Sequence, residues 1–213
     1  YDFKYSCSGG TKGLLIMDKL AISLRYYLLG CKYFQALKAM EFAAKFHTGT
    51  RKDGKTPEFS HQMLIVQYLR TLAPGIIEPE ETFSSGFLHD VCEDYDIGFD
   101  EIENKFGVKV AKSIRLLTKK YRGTVVPEQY YYEQIAEDSI ASVVKRGDRN
   151  HNISTMVGTF TREKQLSYIE ETEKFVLPML KTARRNFPEQ ESVYENEKLL
   201  LKSQIVLIRK MNE

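Results

Sequence analysis

The stretch "FLHDVCEDYD", residues 87–96, places His89, Asp90, Glu93 and Asp94 within a segment that otherwise reads as buried helix. Burying a polar group without a partner costs several kcal/mol, and an isolated carboxylate costs far more. One imidazole and three carboxylates can be compensated by a divalent cation, and the same groups can move protons. On a helical wheel His89 and Glu93 are one turn apart, as are Asp90 and Asp94, so the four form one polar sector. Leu88, Val91 and Cys92 take the opposite side. A solvated acidic face is the plain alternative. The adjacent His–Asp pair points beyond it, because it offers two ligands to one metal.

Two other clusters are chemically suited to join this one. In "TPEFSHQMLIVQYL", His61 opens the stripe continued by Leu64, Ile65, Tyr68, Leu69 and Leu72, so it faces the core; taken alone it reads as a hydrogen-bonded core histidine. In "KRGDRNHN", residues 145–152, Asp148 and Asn152 share one helix face while Lys145 and Arg149 share another; taken alone this is a charged helix end. Together the clusters offer His61, His89, Asp90 and Asp148. Two imidazoles and two carboxylates suit Mn, Fe, Co or Zn better than Ca or Mg. The set contains no thiol, which argues against a closed structural zinc site.

The elements that must position these groups are helical nearly throughout. Apolar residues recur at three- and four-residue steps over residues 17–29 and 33–46, and Thr56–Pro57 has the form of a helix start running to about Leu72. One helix is expected over 78–94. Shorter helices over 100–106 and 108–119 are separated at Gly107, and others follow near 128–137 and 139–156. A long helix over 162–187 is bent at Pro178, and a charge-rich last helix follows Pro188. The fold class is all-α, a bundle of roughly nine to eleven helices, with residues 1–16 as an extension, 17–187 as the domain and 188–213 as a C-terminal helix packing on it. Apolar content of 42% and charged content of 28% over 213 residues are ordinary for a globular chain. A net charge of +2 gives no reason to expect a nucleic-acid or membrane partner. The three cysteines have no metal or disulfide spacing and fit a reducing cytoplasm.

The segments "HTGTRKDG…PEFSHQ", "FLHDVCEDY", "KFGVKVAKSIRLLTK" and "VVKRGDRNHNISTM", in this order, resemble the HD-domain hydrolases of the RelA/SpoT group, including the small stand-alone alarmone hydrolases. The resemblance implies an all-helical HD fold, a manganese ion, and removal of the 3′-pyrophosphate from (p)ppGpp in stringent-response signalling. It further implies His61, His89, Asp90 and Asp148 as metal ligands and Glu93 and Asp94 as the acids that position and deprotonate the attacking water. Arg51 and Lys52 fall on a basic pair near the base and phosphates, Thr118 and Lys119 on a "TK" that shapes the pocket, and Asn152 on the asparagine after the last ligand. Lys145 is a further cation for the phosphates.

The chain also departs from that pattern. Glu58 stands for an aromatic residue, Gln62 for a proline and Tyr95 for a threonine, and Val176 occupies a tyrosine position associated with the nucleotide sugar. The reaction class is therefore read more firmly than the substrate. The guanosine alarmone, its adenosine counterpart (p)ppApp, and NADPH hydrolysed at its 2′-phosphate are the substrates considered. A different class of reading is a nucleotide-sensing module that docks a partner, or a second copy of the chain, through the apolar C-terminal helix.

Overall fold

The first helix, α1 (Thr11–Gly30), leads into α2 (Phe34–Ala43), and a long polar loop then delivers the chain to α3 (Ser60–Leu72). A computed structural model describes the backbone of residues 11–213, with side chains from residue 19 onward. Of the expected extension, residues 1–10 lie outside the described residues, whereas positions 11–16 belong to α1. Next come α4 (Pro79–Leu88), the single turn α5 (Val91–Asp94) and α6 (Phe99–Leu117). A two-residue ribbon, β1 (Lys120–Tyr121) against β2 (Thr124–Val125), is antiparallel with Lys120 opposite Val125. Then follow α7 (Glu128–Ala136), α8 (Ser139–Thr155), α9 (Arg162–Glu171), α10 (Leu177–Asn186) and α11 (Glu191–Met211). The fold is all-α, as the periodicity indicates. Cys31 and Cys92 are free thiols, and Cys7 lies outside the described residues.

Several boundaries differ from those read in the sequence, each for a local reason. The Thr56–Pro57 start is not a helix start: the Thr56 amide and hydroxyl both donate to Asp53, and Pro57 bridges Thr50, so α3 begins only at Ser60. The helix expected over 78–94 is broken, because the chain leaves α4 at His89 and turns at Asp90 (φ −101°, ψ −8°) before α5. The break at Gly107 is present as a bend inside α6, with φ of 79°, a conformation open to glycine at little cost. Pro178 has no N–H to donate, and the ladder widens into a π turn at Thr172–Val176 just before it.

Helix α8 runs through the middle of the bundle. Asp138 caps it, accepting the amides of Ile140 (3.1 Å) and Ala141 (2.8 Å). Ile140, Val143, Val144 and Ile153 are buried in one core with Ile65, Val66 and Leu69 of α3 and Phe83, Phe87 and Leu88 of α4. Each fully buried side chain of this size contributes on the order of 1.5–3 kcal/mol.

Two glycines set how closely α3, α4 and α8 approach. A Cβ on Gly86 would lie 2.9 Å from Val66 Cγ2, and one on Gly147 would lie 3.1 Å from Ile65 Cγ2. The first is closer than packed carbon atoms tolerate, and the second is tight enough that Ile65 would have to give by a few tenths of an ångström. Gly86 precedes His89 by three residues and Gly147 precedes Asp148 directly. The close packing therefore brings the start of α3, the end of α4 and the middle of α8 to one point.

Candidate metal centre and cleft

At that point stand His61, His89, Asp90 and Asp148. His61 Nε2 lies 3.2 Å from Asp148 Oδ1 and 3.8 Å from Asp90 Oδ2. His89 Nε2 lies 2.9 Å from Asp90 Oδ2 and 3.9 Å from Asp148 Oδ1. Ligand atoms of His61, His89 and Asp90 all fall within 4.8 Å of one another. The break between α4 and α5 makes this possible: consecutive residues on an unbroken helix point ~100° apart, and the turn at Asp90 folds its carboxylate back beside the His89 ring.

The donor set fits a divalent ion. His89 Nδ1 is 2.9 Å from the Gly86 carbonyl, which can only accept, so Nδ1 carries the proton when the ring is neutral and Nε2 presents a lone pair. That Nε2 is buried and makes no directed hydrogen bond, even though Asp90 is close. Burial opposes charge on His89, but Asp90 and Asp148 outweigh it and hold the pKa at about 9; Asp90 is held at about 2, burial being outweighed mainly by His89. In the protein alone a proton thus occupies the position a cation would take.

Asp148 is fully engaged. Its Oδ2 accepts from Lys145 Nζ at 3.0 Å, and its Oδ1 accepts from Asn152 Nδ2 at 2.5 Å. Asn152 Oδ1 in turn accepts from Arg51 Nη2 at 3.1 Å, so a thread of hydrogen bonds joins Arg51 to the centre. Burial works against charge on Asp148, but Lys145 and the two histidines keep its carboxyl well below the usual range. Lys145 therefore positions a ligand rather than reaching out as a free cation.

The centre opens into a cleft of about 600 Å³. Asp94 lines it; burial first, then Asp90, Glu93 and Glu58, raise its pKa to about 6. Glu93 does not line it: the break in the helix turns its carboxylate onto the Lys119 amide (2.9 Å) and the Lys120 amide (3.4 Å). Thr118 is buried with its hydroxyl on the Ile114 carbonyl, and Lys119 Nζ donates to Glu128, so both side chains stay outside the cleft lining, and only the Lys119 amide of this pair holds Glu93. Arg51, Lys52, Lys145 and Asn152 do line the cleft.

The far wall holds groups the sequence reading did not single out. Phe160 carries Lys164 (4.3 Å to the ring centroid) and Lys52 (5.4 Å), and Arg149 lies over Tyr168 at 4.0 Å. His151 also lines the cleft; burial first, then His61 and Arg51, push its pKa down to about 3. Its position three residues after Asp148 on a buried helix was the available signal. Val176 is fully buried and lies outside this cleft. The departures Glu58, Gln62 and Tyr95 meet around His47: Glu58 Oε1 is 3.8 Å from His47 Nδ1, Gln62 Nε2 is 3.3 Å from His47 Nε2, and the Tyr95 ring meets the imidazole edge-on at 4.9 Å. They form one group, of which Glu58 and Gln62 line the cleft and Tyr95 does not.

Residues 39–122 match the family model of the HD domain. Over those residues the chain is similar to HD domains. Its relatives bear out the resemblance read from the motifs. It is 31% identical over 150 residues to a probable guanosine-3′,5′-bis(diphosphate) 3′-pyrophosphohydrolase of Synechocystis, across 67% of this chain and 19% of that protein. It is 30% identical over 149 residues to the guanosine-3′,5′-bis(diphosphate) 3′-pyrophosphohydrolase of Aquifex aeolicus, across 67% of this chain and 20% of that protein. The chain thus spans about a fifth of the length of these relatives. Among solved structures, a metazoan ortholog of SpoT that hydrolyzes ppGpp has a similar fold, with a TM-score of 0.59 at 22% identity, covering 76% of this chain and 94% of that one.

Proposed function

We propose that the HD domain of this chain is a metal-dependent hydrolase that removes the 3′-pyrophosphate from (p)ppGpp or (p)ppApp, with manganese as the ion. The observation that carries the reading is the meeting of His61, His89, Asp90 and Asp148 at the mouth of a cleft that also holds Asp94, Arg51 and Lys52. The names of the relatives point to the same substrate class. Among the described residues no helix is long and apolar enough to cross a membrane, and the cytoplasm is the proposed compartment.

An ion held by the four donors supplies Lewis acidity, lowering the pKa of a water and drawing charge from the phosphate oxygens. Asp94, with its pKa at about 6, is an acceptor for the proton of the attacking water at neutral pH. Arg51, Lys52 and Lys164 offset phosphate charge, while Phe160 and Tyr168, each carrying a cation on its ring, add apolar surface to the cleft lining. Asn152 and Lys145 hold Asp148 in place, and Glu93 ties α5 to the start of the ribbon. The water oxygen bonds to the phosphorus next to the 3′ oxygen, and that oxygen leaves and takes up a proton.

The test is purified protein with Mn²⁺ against guanosine and adenosine 3′-pyrophosphates and NADPH, with products identified by mass spectrometry. Release of pyrophosphate is expected, and none from any 3′-pyrophosphorylated nucleotide would sink the reading. A second reading keeps the enzyme and takes NADPH at its 2′-phosphate, which would give orthophosphate; Glu58, an acid in the cleft lining where the resemblance expects an aromatic residue, motivates it. The nucleotide-sensing alternative draws less support, because Val193, Leu201, Ile205 and Ile208 of α11 are spent on the domain's own core. A second copy of the chain would have to use the outer face of α11, where Leu199, Val206 and Leu207 are exposed.

A further inference from the structure

His61 and His151 face each other through Nδ1 atoms 2.8 Å apart, with ring centroids at 4.8 Å. Two neutral imidazoles in this arrangement share a single proton between them, so one Nδ1 donates and the other accepts. Each ring has one proton, and the choice at Nδ1 fixes the state of each Nε2.

The outer surroundings of the two rings differ. His61 Nε2 is directed at the acids, 3.2 Å from Asp148 Oδ1. To serve as a ligand, His61 Nε2 must present its lone pair; the neutral ring then carries its proton on Nδ1, aimed at His151 Nδ1, and His151 carries its own proton on Nε2. His151 Nε2 has no hydrogen-bond partner, so no third group pins this ring in either tautomer. His89 differs: the Gly86 carbonyl on its Nδ1 accepts only.

We propose that His151 is a positioning residue for the metal ligand His61: it accepts a hydrogen bond from His61 Nδ1 and so keeps His61 Nε2 bare toward the ion. This rests on the metal-centre reading above. Outer partners of this kind typically change metal affinity 10–100-fold when removed.

The experiment has two arms. Long-range ¹H–¹⁵N spectra of the histidine rings are compared in metal-free protein and in protein loaded with Zn²⁺ as a diamagnetic probe. With Zn²⁺ bound, His151 Nδ1 is expected to be bare and its proton to sit on Nε2; a His151 that carries its proton on Nδ1 with Zn²⁺ bound overturns the proposal. In the second arm, calorimetry gives Mn²⁺ affinity for wild type, His151→Gln and His151→Leu, with circular dichroism as the fold check. His151→Leu should bind about 10–100-fold more weakly, with His151→Gln, which retains an acceptor, falling between it and wild type. Equal affinity in His151→Leu overturns the proposal while leaving the metal centre standing; wild type that takes up no ion removes both. Should His151→Leu fail to fold, the spectra decide.

Discussion

Asp148 and Arg146 sit two residues apart on α8, both nearly closed to water, and face opposite ways. Asp148 looks toward the cleft, where His61, Lys145 and Asn152 surround it and a ligand position stays reachable. Arg146 meets Glu197 of α11 at 3.1 Å with both side chains wholly buried. None of the guanidinium nitrogens or the Glu197 oxygens makes a directed hydrogen bond. Burial pushes Glu197 up to about 8 and lowers Arg146, each against the pull of its partner. Buried charge alone therefore does not mark a site. Several donors converging on a reachable point do, whereas the Arg146–Glu197 pair fastens the last helix to the central one.

The comparison can be broken hardest at Asp148. Asp148→Asn removes an anionic donor and leaves Lys145 facing a neutral group. Mn²⁺ content by elemental analysis should fall toward zero, and turnover should fall by more than the roughly 10⁴-fold that losing a general base can cost. Next is Asp94→Asn, which should keep the metal and lose about 10²–10⁴-fold in kcat. Glu93→Gln should cost far less than Asp94→Asn, because its carboxylate holds backbone amides outside the cleft lining. An equal loss in the two would return Glu93 to the water.

On the sealed face, Arg146→Met or Glu197→Leu alone leaves one uncompensated charge and should cost about 3–5 kcal/mol in urea unfolding. The double variant should recover most of that loss, because an apolar pair of similar volume no longer has charge to desolvate. The pH profile sharpens the contrast from the cleft side. Asp94 has its pKa raised, so it holds its proton until about pH 6 and is a base only above it. The rate should fall about tenfold per pH unit below that limb, and Asp94→Asn should abolish the limb. Smallest of all, Leu199→Ser on the exposed face of α11 should move stability by no more than about 0.5 kcal/mol.

Much of this was legible in the residues. Helical periodicity gave the all-α class, and the His, His-Asp and Asp motifs pointed to donors that the fold brings within 4 Å contacts of one another. The break at Gly107 was legible, but the one at Asp90 was not. A helical wheel grouped Glu93 with His89, because no proline or glycine announces the turn at Asp90; the strain of bringing both donors to one point is a tertiary effect. Thr56–Pro57 imitated a helix start because its side-chain chemistry serves a loop around Asp53 instead. Phe160 and Tyr168 were missed since single aromatics in a polar stretch have no period, and only the folded chain brings them into one cleft lining with Arg51.

The spacing at Gly86 and Gly147 has an implication for how such proteins are found. At Gly86 a methyl would press on Val66 of α3 so closely that something must shift, and at Gly147 it would be a tight fit against Ile65. A lineage that kept every histidine and aspartate but drifted to alanine at Gly86 would still display the full motif on paper while its donors stood too far apart to share a cation. Surveys that count donors alone will therefore enrol proteins whose pocket has been prised open by a single carbon atom.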